Sequence, residues 1–229
     1  MSSEPDGHIV VLTGTKTFVS FCTYRQNQSA MNKVQSGVRT GRPITRNRTQ
    51  VLETALNAYW QNDRAAISVN AVCVLAGISK PSLYREFGSE DGLTAAVLER
   101  YRQTVLVPLE ALLLGPQTYK SKLDALINFA SDDKQMEVGC LFVKMRATRS
   151  RFGPQTQALL AATEAHLQAN YVRLFNDAAS RGEWRGGIET GLAANYLQEQ
   201  LGLAVSQRAA GKPQDAVRSF FTLAVSVLR

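Results

Sequence analysis

"AGISKPSLYREF", residues Ala76 to Phe87, decides how the rest of the chain is read. Glycine enters left-handed backbone without a Cβ penalty, so Gly77 both stops a helix and supplies a tight turn. Ser79 offers a hydroxyl to cap the next helix. Pro81 then falls in the first turn, where a missing N–H costs nothing. Leu83 and Phe87 are one turn apart and face inward, which leaves Lys80, Ser82, Tyr84 and Arg85 on or beside the outer face. Upstream, Ser68 caps a helix whose inner face is Val69, Val72, Cys73 and Ala76. Cys73 falls where two helices cross closely and reads as a small buried hydrophobe. Before it, Val51, Leu52, Ala55, Leu56, Tyr59 and Trp60 recur at helical spacing, and Asn62 and Asp63 end that helix. Three short helices with a glycine turn between the second and third make a helix-turn-helix pattern, its motif over about residues 68–87.

In such a motif the second helix packs across the third, and the third presents its N-terminal polar residues to a DNA major groove. The longer stretch ISVNAVCVLAGISKPSLYREFGSEDGL, Ile67 to Leu93, resembles the N-terminal DNA-binding domain of TetR-type (TetR/AcrR) transcriptional regulators. That family carries an x-AG-[VI]-S-K-x-[ST]-[LI]-Y-x-x-F signature, matched here in register from Ala76 to Phe87. The likeness covers about residues 45–100. It implies a homodimer that binds a double-stranded DNA operator near or within a promoter. It also implies a small-molecule effector, held in the C-terminal domain, that releases the DNA.

Carried over by position, Lys80, Ser82, Tyr84 and Arg85 touch DNA, with Lys80 and Tyr84 on phosphates and Arg85 or Ser82 at base edges. Ser79 and Pro81, which open the same helix, join that set. Ser68 meets a phosphate through its hydroxyl and a backbone N–H. Arg46 and Arg48 start the first helix and face the same polyanion. One position departs from the family pattern. Relatives often hold a phosphate with a Lys at the start of the fourth helix, in F-x-[ST]-K-x-x-L. Here Glu90 stands at that place in FGSEDGL, where an acid repels a phosphate; Ser89 and the helix N-terminal N–H groups remain available to bind one.

Charge supports the same partner. The chain has 229 residues, 26 Lys and Arg and 19 Asp and Glu, a net charge of +7. Between Gly7 and Leu52 there are Lys16, Arg25, Lys33, Arg39, Arg42, Arg46 and Arg48 and no acid, so the excess sits at one end. Such an arm suits a polyanion, either nucleic acid or an acidic membrane surface. Within RTGRPITR, Arg39 to Arg46, the extended Gly-Arg-Pro allows Arg42 to enter a minor groove; the alternative is a flexible basic linker that supplies only long-range attraction. Residues 8–21, HIVVLTGTKTFVSF, carry two β-prone runs around TGTK, but an isolated hairpin is marginal in water, so residues 1–43 read as a flexible basic extension. Met31 offers a second start upstream of the recognisable domain.

The rest of the composition excludes more than it assigns. Three scattered cysteines (Cys22, Cys73, Cys140) and two histidines (His8, His166) argue against a disulfide framework, a structural metal or a His-based catalytic site. Walker, GxSxG and GxGxxG motifs are missing, as are a secretory signal and an apolar run long enough to span a bilayer. The expectation is a cytoplasmic, non-enzymatic protein without cofactor or metal.

Beyond residue 88 the chain reads as helices. A fourth begins near Ser89 or Glu90 and runs to about Val107, with Pro108 kinking it and GPQ at 115–117 breaking it. Later segments are Tyr119–Ala130, Cys140–Arg151, Pro154–Arg181, Ile188–Ala210 and Pro213–Arg229, with Gly/Pro- or Asp-rich separators. The last two carry apolar residues on more than one side and need partners on two sides, which the resemblance supplies as a second copy of the chain; the alternative is full burial inside one chain. The interface set is Leu192, Tyr196, Leu197, Leu203, Phe220, Phe221, Ala224 and Leu228. For the effector, Tyr101, Cys140, Phe142, Met145, Arg146 and Arg149 are the candidate wall, with Trp184 as a further candidate. Arg146 and Arg149 share a face and favour an anionic ligand if that face points inward.

The expected fold class is therefore all-α: a three-helix DNA-binding domain over 44–105, then a helical ligand-binding and dimerisation domain over 106–229. The expected function is a transcriptional repressor released from its operator by a small molecule. The alternatives are an activator or a ligand-independent repressor and, from another class, an all-helical enzyme or carrier fused to a DNA-binding head.

Overall fold

A computed structural model of the chain describes residues 48–62 and 67–229, all helices, turns and loops. The expectations for the N-terminal extension, including the hairpin, Arg42 and Arg46, lie outside the described residues. Three helices come first: α1 (Arg48–Gln61), α2 (Val69–Ala76) and α3 (Lys80–Phe87). The boundary residues act as their chemistry requires. Ser68 Oγ accepts from the Ala71 N–H, and Ser79 Oγ accepts from the Ser82 N–H. Gly77 takes φ 60°, and behind it the Ile78 N–H bonds back to Cys73 O at 3.0 Å, which closes the α2 end. Val51, Ala55, Leu56 and Tyr59 of α1 meet Val69, Val72, Cys73 and Ala76 of α2, and Leu83 and Phe87 of α3, in one core. Cys73 is buried, and burial raises its thiol above the ordinary value, so it packs.

Helix α4 (Glu90–Tyr101) ties these three to the remainder. Ser89 caps it, accepting from the Gly92 N–H at 3.0 Å. Gly92 is required by space: a Cβ there would lie 2.0 Å from the Phe87 carbonyl oxygen, so only glycine lets α4 sit against the end of α3. The helix passes through a π turn (Arg102–Leu106) into α5 (Val107–Leu113). This corrects the expected simple kink at Pro108. Proline cannot donate to the preceding turn, and the slack is absorbed one turn earlier, where the Val107 N–H reaches Arg102 O.

The C-terminal helices are α6 (Tyr119–Ser131), α7 (Leu141–Ala147), α8 (Pro154–Ser180), α9 (Thr190–Ala209) and α10 (Gln214–Ser226). The expected helix Cys140–Arg151 is shorter. Cys140 stays extended as the residue before α7, and Thr148 leaves helical backbone with its hydroxyl on Lys144 O, so Arg149–Arg151 forms only a 3₁₀ turn. A second 3₁₀ turn, Lys134–Val138, lies in the separator read as loop; Asp133 caps it through the Gln135 N–H. Helix α8 packs against α4, α5 and α9, and α10 closes over α6 and α9. Among the described residues no helix is long and apolar enough to cross a membrane.

Candidate nucleic-acid interface and the cavity behind it

Burial of Leu83 and Phe87 fixes which side of α3 faces out. Lys80, Pro81 and Arg85 are exposed, while Ser82 and Tyr84 are half-buried on the same outer side. The Lys80 ammonium lies 5.7 Å from the Tyr84 ring centre, so the two hold each other in place. Arg85 has only a distant acid beside it, Glu86 at 3.9 Å, and that pair is well exposed, so it is weak. Ser82 Oγ lies 2.9 Å from Ser79 Oγ; a base or phosphate oxygen has to compete with that bond. Arg48 at the start of α1 stacks over the Phe87 ring at 4.9 Å, which places its charge beside the far end of α3. Ser68 spends its oxygen on capping α2, and its hydroxyl hydrogen remains to donate. Glu90 is the exposed first residue of α4.

Asp91, the next residue, does something the sequence did not disclose. Its carboxylate accepts from the Gln155 N–H (2.8 Å), the Thr156 N–H (3.2 Å) and the Thr156 hydroxyl (2.6 Å). It is the N-terminal cap of α8, lent by another helix, because Gly153 at the proper cap position has no side chain to offer. A Cβ on Gly153 would fall 2.5 Å from Asp91 Cγ, so the glycine also makes room for the acid. Burial pushes the Asp91 carboxyl up, but the hydrogen bonds from Thr156 and from the Gln155, Thr156 and Gly153 amides outweigh it and hold the group below the usual aspartate range. Sixty-odd residues separate the partners, so no local pattern signals the contact.

Behind α1 to α3 lies a second arrangement. The Trp60 indole, at the end of α1, donates to Gly139 O at 2.6 Å and stands edge-on to the Tyr101 ring with centres 4.9 Å apart. Lys144 Nζ donates to Trp60 O at 2.9 Å. The Tyr101 hydroxyl donates to Cys140 Sγ at 3.1 Å. Burial raises both the Tyr101 hydroxyl and the Cys140 thiol, so both stay protonated. Cys140 is in turn part of the wall of a cavity lined by the π turn and α5 to α9.

The expected effector residues divide accordingly. Cys140, Phe142 and Arg146 line this cavity. Tyr101, Met145, Arg149 and Trp184 do not: Tyr101 is turned to Trp60, Met145 is fully buried, Arg149 pairs with Glu164, and Trp184 packs on Phe175. Arg146 is gripped by Glu199 through two bonds of 2.7 and 2.8 Å, with Glu164 at 3.3 Å, so the expected free cationic face for an anion is already neutralised.

The expected interface set divides too. Leu197, Phe221 and Leu228 are buried within the one chain and Ala224 nearly so, because α9 and α10 turn those sides onto each other and onto α6. They are core residues. Leu192 and Leu203 remain exposed on α9, and Tyr196 and Phe220 are half-covered, with the Tyr196 hydroxyl on Ala224 O. Leu223 (73% exposed) and Val227 (58% exposed) complete the uncovered side on α10.

Comparison with known proteins agrees with this geometry. A family model described as "Bacterial regulatory proteins, tetR family" matches residues 51–97, which span α1 to α4. The HTH-type transcriptional repressor ComR of Escherichia coli is 27% identical over 175 residues, 73% of this chain and 82% of the relative. The HTH-type transcriptional repressor BdcR of the same organism is 33% identical over 110 residues, 48% of this chain and 55% of that one. Among solved structures, Escherichia coli NemR in its reduced form superposes with a TM-score of 0.70 at 18% identity, covering 80% of this chain and 97% of that one. The TetR-family regulator CifR, a cysteine mutant in complex with a 26-base-pair double-strand operator DNA, superposes with a TM-score of 0.66 at 19% identity, covering 82% and 100%.

Proposed function

We propose that the chain is a regulator of the TetR type, whose family model matches residues 51–97, and that it is a non-enzymatic transcriptional repressor that binds operator DNA as a homodimer and leaves it when a small molecule binds. The observation that carries the DNA-binding part is the division of α3. Leu83 and Phe87 are locked in the core while Lys80, Ser82, Tyr84 and Arg85 stay outside on a rigid, doubly capped helix. Lys80 and Tyr84 serve as phosphate holders and Arg85, with Ser82, as base readers. Arg48 and Ser68 flank them, and the basic residues before α1 add counterion release. Repression is supported by the two relatives that carry that name.

Dimerisation is supported by the uncovered leucine and valine side of α9 and α10. A second copy placing the same side against it buries both. Release follows from linkage: a ligand that prefers the non-binding spacing of the two α3 helices lowers DNA affinity by that difference. The route runs through parts already described. Cys140 touches both the cavity and Tyr101, and Gly139 holds Trp60 of α1.

Selection of bound DNA from a random pool by the full chain tests the reading. A two-fold-related sequence should emerge. Lys80→Ala should weaken binding to all sequences alike, whereas Arg85→Ala should also relax the preference at one position of each half-site. Failure to enrich any sequence, or equal sequence-blind losses in both variants, would refute the assignment.

A further inference from the structure

The cavity behind Cys140 has a volume of about 40 Å³, and its wall is made largely of apolar side chains such as Leu106, Leu109, Phe142 and Leu201. Gln198 of α9 is the exception. It is 92% buried, it lines the cavity, and its Oε1 has no hydrogen-bond partner. A buried amide oxygen left this way calls for a donor. The second polar group in the wall, Arg146, asks for nothing, since Glu199 and Glu164 already hold its guanidinium. An ion entering this space would therefore lose its water without meeting a free opposite charge. Size is limited as well: a water needs roughly 10–15 Å³ measured this way, so the space takes a few non-hydrogen atoms before the walls have to part.

We propose that this cavity is the effector site and that it selects a small, uncharged, mainly apolar molecule bearing one hydroxyl or amide N–H, which donates to Gln198 Oε1. The proposal rests on the reading of the chain as a ligand-released regulator, and it replaces the anionic ligand that the Arg146–Arg149 spacing suggested. Tyr171, also in the wall and kept protonated by burial, offers a neutral polar group to the ligand's oxygen.

One wall residue gives a clean way to fill the space. Gly202 sits in the middle of α9, and a Cβ there would meet only Arg146 Nη2 and Val143 Cγ2, both at 3.8 Å, an ordinary contact. Gly202→Ala therefore occupies cavity volume without pushing on the backbone, and it puts the best helix former where the second-worst stands. Gln198→Leu keeps the volume and removes the waiting acceptor.

The test uses the full chain and three probes of matched length: 1-butanol, methyl propyl ether and butyrate, followed by ligand-observed NMR. Butanol should bind wild type about tenfold more tightly than the ether, the worth of one buried hydrogen bond, and butyrate should not bind. Gly202→Ala should weaken butanol severalfold or abolish its signal, and Gln198→Leu should bring butanol and ether together. Butyrate binding as well as butanol, or butanol binding unchanged in both variants, would overturn the proposal. A gel shift on the selected DNA, run without probe, reports separately on the regulator reading: DNA binding without butanol binding sinks only the ligand class, and butanol binding without DNA binding sinks the regulator.

Discussion

Replacing Asp91 by alanine should cost the protein about as much stability as losing a strong helix cap, although Asp91 lies in a different helix from the one it caps. In the folded chain its carboxylate receives the N–H groups of Gln155 and Thr156 and the Thr156 hydroxyl, at the start of the 27-residue α8. Loss of a capping side chain costs about 1–2 kcal/mol, and loss of a negative charge beside a helix N-terminus about 0.3–1 kcal/mol more. The expected total is about 2 kcal/mol, partly because water reaches the exposed Gln155 amide once the acid is gone. For a chain of this size that lowers the melting temperature by about 4–8 °C at fixed protein concentration. Asp91→Asn keeps the shape and an acceptor but drops the charge, and it should lose about half as much.

The pH dependence separates this cause from simple loss of packing. The folded carboxyl is held below the usual aspartate value of about 3.9, so the group binds its proton less readily folded than unfolded. Its contribution is thus fully present above that value and disappears as pH falls through the lower, folded one. Denaturant midpoints of wild type and Asp91→Asn, measured from pH 7 downward, should converge as the pH drops below about 4. An Asp91→Ala protein as stable as wild type at pH 7 would refute the reasoning. So would an Asp91→Asn deficit that stays constant across the range.

Glu90→Lys puts a cation at the exposed start of α4; operator affinity should rise, and the salt slope of binding should steepen by about one for a single added phosphate contact. An unchanged slope would show that α4 does not approach the backbone. Trp60→Phe keeps the ring edge against Tyr101 but removes the donor to Gly139 O; the denaturant midpoint should fall by about 1–2 kcal/mol equivalent, and release of DNA by ligand should weaken with it. Leu203→Glu combined with Leu223→Glu places charge on the uncovered side of α9 and α10; sedimentation should shift from dimer to monomer at micromolar concentration, with helical content retained.

The parts of the molecule that could be read in advance are those whose causes lie within a few residues. Ser68, Gly77, Ser79 and Pro81 each act inside one turn, and all four stand where their chemistry put them. On α9, Ala193, Leu197, Leu201 and Val205 repeat at helical spacing and all four are buried, but the spacing alone did not mark that side as the inner one. Assigning Leu197, Phe221 and Leu228 to an interface failed because periodicity shows that a helix has two apolar sides without saying which side its own chain covers. Asp91, Trp60 and Gln198 were missed for a related reason. Each acts on a partner tens of residues away or on empty space, and neither leaves a local pattern. Of the two acids of FGSEDGL, Glu90 stays exposed and Asp91 caps α8, so neighbours in sequence have separate surroundings.

That separation bears on how little energy a regulatory signal needs here. Helix α4 is fixed at its start by Gly92 against Phe87 and by Asp91 against α8, and its end is held by Tyr101 against Trp60 and Cys140. Coupling between two sites is typically about 1–3 kcal/mol. One buried hydrogen bond to an uncharged group contributes about 1 kcal/mol net, and more when a partner is left unpaired. A ligand that moves Cys140 or Gly139 by enough to break the Tyr101 or Trp60 bond thus trades in the right amount, without repacking the core. Because the start of α4 is anchored at α8 by a contact the cavity does not touch, the displacement expected from such a ligand is a tilt of α4 about Asp91. It follows that Asp91→Ala should blunt ligand release of DNA even though the residue touches neither ligand nor DNA, whereas a release response unaffected by losing that anchor would place the pivot elsewhere.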